Sequence, residues 1–182
     1  MWKIRFIASL YVLSVFITLT GCGISASGTG STYINHERVA RLQSEEIIQG
    51  VLNKDAEAIA DLFCPYVKEN YPNLEEDIAD WIELIDGDIL SYDVPEGARG
   101  GGTRTAEDGV VEQSINGGVD NIKTSSGKTY RIGHGGYSVY KECPDYVGVT
   151  SVTIFVEDLY DAENYCYLEG GKNVIYLPEM FE

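Results

Sequence analysis

Apolar and polar positions change rhythm several times along the chain, and each rhythm predicts an element. Residues 6–19 form an apolar run without a charge, preceded by Lys3 and Arg5 and closed by Leu19-Thr20-Gly21-Cys22. Positive, apolar, then small is the order of a secretory signal peptide. As a helix these 14 residues would rise only about 21 Å, short of the roughly 30 Å hydrocarbon core, so export with cleavage is expected. Residues 23–35 are mostly small and polar with no hydrophobic period, which predicts a flexible tether with a reach of roughly 20 Å. The expected organisation is a signal over residues 1–21, a tether over 22–35 and a single domain over 36–182.

From residue 36 the period is helical. Ala40, Ser44, Ile48 and Leu52 form an i+4 row, widened by Ile47 and Val51 into an apolar stripe. Asn53-Lys54-Asp55 interrupts it and places Asp55 to cap a second helix carrying Ile59, Leu62 and Phe63. That helix is expected to stop at Cys64-Pro65, because the residue before a proline avoids the α region. A third helix starts at a capping-box-like Asn73 and Glu76, with an apolar face of Leu74, Ile78, Trp81, Ile82 and Ile85 and a stop at Gly87. Trp81 and Ile85 are expected to lie against the sheet that follows. After Gly87 the period becomes two. Residues 89–94 predict a strand, and 95–108, with Gly97 and Gly100-Gly101-Gly102, a long mobile loop. Residues 110–124 and 128–141 predict a hairpin turning at Ser125-Ser126-Gly127, and 147–158 a further strand. Shorter strand signals lie at 165–167 and 174–177. Helices first and antiparallel strands afterwards argue an α+β fold.

Two resemblances sharpen this picture. Leu19-Thr20-Gly21-Cys22 resembles the lipobox of bacterial lipoproteins, which implies a diacylglyceryl group on the Cys22 sulfur and cleavage just before it. Two acyl chains, at about 0.8 kcal/mol per buried CH₂, would hold the protein stably on a membrane. The helix, break and helix of residues 47–63, followed by the third helix and Gly87-Asp88-Ile89-Leu90-Ser91-Tyr92, are similar to the opening of nuclear-transport-factor-2-like (SnoaL-like) proteins. That resemblance implies three helices wrapped by a strongly curved, mostly antiparallel sheet, a cone. The whole chain is also similar to an uncharacterised family of Gram-positive bacterial lipoproteins. Fold alone does not assign activity, since the superfamily spans isomerases, dehydratases, immunity proteins and binding modules.

Composition limits the partners. The chain carries 29 acidic and 13 basic residues, a formal charge of −16. Loss of Lys3 and Arg5 with the signal takes it to −18 over 161 residues. Such a field repels phosphate backbones, so nucleic acid is not an expected partner. Of the 4 cysteines, Cys64, Cys143 and Cys166 follow the anchor, an odd number with no zinc-like spacing, and no obligatory disulfide is expected. Asp158, Asp161 and Glu163 read as a solvated turn rather than a calcium loop, and neither metal nor cofactor is expected.

Chemistry would have to rest on His134. It shares an alternate strand face with Tyr130 and Ile132, but glycines flank it, and which way that face points is open. Tyr92, Tyr130, His134 and Tyr140 are the candidate pocket residues. The favoured reading is a lipid-anchored protein on the extracytoplasmic side of the cell membrane, binding a small ligand or an envelope protein without catalysis. Its rivals are a lyase or isomerase using His134 as acid/base, and an acidic inhibitor or immunity protein.

Overall fold

The computed structural model describes residues 35–156 and 174–175. Four helices precede six strands: α1 His36–Asn53, α2 Ala56–Asp61, α3 Pro65–Asn70, α4 Leu74–Ile82, β1 Ile89–Ser91, β2 Gly100–Ala106, β3 Gly109–Thr124, β4 Thr129–Tyr140, β5 Gly148–Val156 and β6 Val174–Ile175. The fold is α+β, and among the described residues the strands form one sheet in which every strand pairing is antiparallel. None of the described helices is long and apolar enough to cross a membrane.

The helical half follows from caps and stripes. The Asn35 side chain accepts a hydrogen bond from the Arg38 N–H (3.2 Å) and opens α1. Lys54, in the left-handed region at φ +53°, closes it, and the Asp55 N–H donates to the Gly50 carbonyl (2.8 Å) as in a Schellman motif. The Asp55 carboxylate then accepts from the Ala58 N–H (3.0 Å), so one tripeptide ends α1 and starts α2. The stripe buries Ala40, Ser44, Ile47, Ile48 and Val51, while Leu52, in the last turn, stays exposed. Cys64-Pro65 does end α2, yet Pro65 also occupies the first turn of α3, where its missing N–H costs nothing. Three predicted helices are therefore four. Asn73 makes no side-chain cap bond, so the expected capping box is not formed. Trp81 is fully buried, but its helix packs beside α2, and Ile85, beyond the end of α4, is only half-buried.

β3, 16 residues long, organises the sheet. One of its edges takes β4, then β5 and β6; the other takes both β1 and β2 at different heights. The expected loop over 95–108 is thus partly a strand. β2 pairs with β3 along its whole length, and all seven of its residues are exposed, so no apolar alternation could reveal it. The hairpin turns at Glu107-Asp108-Gly109, where Gly109 adopts φ +99°. The inner face presents Val119 and Ile122 from β3, Tyr130 and Ile132 from β4, and Val149, Val152 and Ile154 from β5 to the helical apolar residues. α1 lies against β3, and Phe63 forms a bridge to Val149 that fastens the helices to β5.

Candidate functional site

His134 faces inward, 5% exposed, between β4 and α1. Its Nε2 lies 2.9 Å from Ser44 Oγ and 3.3 Å from the Ala40 carbonyl, and the Ser44 hydroxyl donates to that same carbonyl (2.8 Å). A carbonyl only accepts, so Nε2 carries the proton, and the Ser44 oxygen takes part of it. Nδ1 is buried without a hydrogen-bond partner among the described residues. Burial, helped by the nearby Arg99 charge and opposed by the Ala40 carbonyl, pushes the imidazole pKa down to about 4. Gly117 pairs with His134 across the sheet, and a Cβ there would sit 2.4 Å from Nε2. The ring is a neutral, wedged tie between sheet and helix. Among the described residues its hydrogen-bonding partners are the Ser44 hydroxyl and the Ala40 carbonyl, and no carboxylate.

The other candidate residues do not join it. Tyr130 is a core residue whose hydroxyl accepts from the Asp86 N–H (3.0 Å). The Tyr92 hydroxyl accepts from Gln49 at 3.3 Å on the outside of α1. Tyr140 belongs to a separate aromatic group, 4.9 Å from Tyr137 and 6.0 Å from Tyr146, with Tyr66 stacked on Tyr146 at 4.5 Å. The candidate tyrosines thus sit at three separate places rather than around one pocket. Cys64 is buried and its thiol is pushed up by burial, which makes it a poor nucleophile. Among the described residues no group of three or more His, Cys, Asp or Glu could hold a metal. Cys22, Cys166 and the residues 158–163 lie outside the described residues.

A different place has the shape of a site. Because β1 and β2 share one edge of β3, residues 92–99 must step from one to the other, and they form a strap beside the middle of β3. Backbone bonds pin both ends: the Asp93 N–H to the Asp120 carbonyl (3.0 Å) and the Arg99 N–H to the Asn116 carbonyl (2.8 Å). The Asn121 amide donates to the Asp93 carboxylate, and Glu37 from the first turn of α1 accepts the Ala98 N–H (2.8 Å). Between strap and sheet runs a half-open, polar groove of about 910 Å³, and none of the four candidate residues lines it.

Its floor is built by a bulge. Val119 pairs with Ile132 and Ile122 with Tyr130, leaving Asp120 and Asn121 opposite Arg131, with Asn121 at φ +51°. Asp120 then meets two guanidiniums, Arg99 Nη2 at Oδ2 and Arg131 Nε at Oδ1, both at 2.6 Å. The Arg131 contact is an ion-pair approach rather than a straight hydrogen bond. Gly118 lets Arg99 lie flat on the strand, since a Cβ there would come within 2.9 Å of Nη1. These side chains are about a third to two-fifths exposed, so each pair contributes at most ~1 kcal/mol to the fold. The two guanidiniums outnumber Asp120 on the floor, while Glu37, Asp93 and Glu96 on the rim leave the lining as a whole acidic, four carboxylates to two guanidiniums.

The family described as a domain of unknown function (DUF5104) matches residues 46–158. The chain belongs to the DUF5104 family. No curated protein matches the chain. The DUF5104 match runs from the second half of α1 through β5 and contains Arg99, Asp120 and Arg131, whereas Glu37 lies before it. Composition and periodicity gave no hint of this groove. A signal did exist, because a turn at residues 125–127 puts Asp120 and Arg131 nearly opposite each other as an acid–base cross-strand pair. Arg99 had no such signal, since the strap that carries it has no period.

Proposed function

We propose that the chain is a lipid-anchored extracytoplasmic protein whose DUF5104 domain works as a binding module, with the strap groove as its site. The observation that carries this reading is the groove itself: open, polar, and floored by two arginines that converge on Asp120. Small-ligand sites occupy roughly 300–1,000 Å³ and use a few placed polar groups, which fits this one. The acid/base reading loses its support at His134, which is neutral, wedged and bound only to a hydroxyl and a carbonyl. The anchor rests on Cys22 and the apolar run before it. A cone of the nuclear-transport-factor-2 kind is the fold proposed for the domain, on the strength of helices laid against one face of an antiparallel sheet.

The test is complementation of a deletion strain. Cys22→Ala should lose fatty-acid labelling and complementation, Arg99→Gln with Glu96→Gln should lose complementation while still labelled, and a folded His134→Asn chain should complement. Turnover of a substrate that vanishes in the folded His134→Asn chain would return the protein to the enzymes.

A further inference from the structure

The charged groups of the groove differ in what already holds them. Asp93 receives the Asn121 amide, Glu37 receives the Ala98 N–H, and Asp120 is shared by the two arginines. Glu96, on the exposed strap, has no hydrogen bond or ion pair with any described residue. Arg99 meets Asp120 through Nη2, and a guanidinium has five N–H donors in all. The groove therefore holds one uncommitted carboxylate on its rim and a guanidinium pair of net positive charge on its floor.

We propose that the groove binds a short peptide with both ends free, its carboxylate against Arg99 and Arg131 and its ammonium against Glu96. This rests on the binding-module reading and names the ligand class for the same site. A simple anion is disfavoured by the −16 charge of the chain, which repels it before it reaches the arginines. A simple cation is attracted by the carboxylates of the lining but leaves the spare Arg99 donors unmet. A zwitterion satisfies both ends and carries no net charge through the acidic field. The size favours a peptide over a single amino acid, because about 910 Å³ lies near the top of the range for small-ligand pockets. Arginine suits the carboxylate end, since its planar fork takes a carboxylate with two parallel hydrogen bonds.

The experiment is calorimetric titration of the purified full chain with trialanine, its C-terminal amide and its N-acetyl form. Free trialanine should bind, and each blocked form should bind at least tenfold more weakly. Arg99→Gln should erase the discrimination against the amide, and Glu96→Gln that against the N-acetyl form. Glu96 makes no contact that folding needs, so the second variant keeps the test valid if the first misfolds. Absence of trialanine binding, or equal affinity for free and blocked forms, overturns the proposal. If such a result comes with groove variants that fail to complement, the ligand class falls and the groove stands. If those variants complement normally, the binding reading falls with it.

Discussion

Trp81 is closed off from solvent, yet its indole N–H finds no acceptor among the described residues. Its apolar bulk and its polar atom therefore pull in opposite directions. Trp81→Ala should cost on the order of 3–5 kcal/mol in urea denaturation. Trp81→Phe should cost clearly less, because removing an unsatisfied donor recovers part of a penalty of about 1–3 kcal/mol. His134 sets a pH dependence. Its folded pKa, about 4, lies below the unfolded value near 6.5, so between these values the unfolded chain binds the proton and the native one does not. Stability from this group is full above pH 6.5 and falls as pH drops toward 4, by up to roughly 3 kcal/mol. His134→Asn should show a smaller loss than the parent chain between pH 7 and pH 5, and equal losses would refute the buried neutral imidazole. The sequence placed His134, Tyr130 and Ile132 on one face correctly. It did not show that the face points inward, because the glycines on either side of His134 erase the polar half of the alternation.

Among the elements, caps separate what a pattern suggests from what it delivers. Asp55 and Asn73 both look like helix starts, but only Asp55 bonds a free N–H. Asp55→Ala should destabilise by about 0.5–2 kcal/mol and Asn73→Ala by much less, measured side by side by thermal melting. A larger loss at Asn73 would mean a cap that forms in solution. The long periodic segments were legible: α1, its break at Lys54, α2, and the β3–β4 hairpin all lie within a few residues of where the pattern put them. α3 was missed because a proline ends one helix and begins the next in the same step. β2 was missed because three glycines and full exposure hide a strand, although Asp108-Gly109 is a hairpin signal that stood in plain view.

At the scale of the whole molecule, the two described cysteines sit in opposite settings. Cys64 is buried and Cys143 exposed, both as free thiols. Iodoacetamide should label Cys143 in the native chain within minutes and Cys64 only after unfolding, as read by peptide mass spectrometry. Rapid native labelling of Cys64 would mean that the bridge from Phe63 to β5 opens readily. The strap has a consequence of a different kind. β3 serves β1 and β2 on one edge, and the joint between them carries the groove wall while contributing only Pro95 to the buried residues. Residues 93–98 meet α1 through the Glu37 carboxylate at Ala98, so a change of length or charge there reshapes the groove wall while the apolar core of helices and inner sheet face stays as it is.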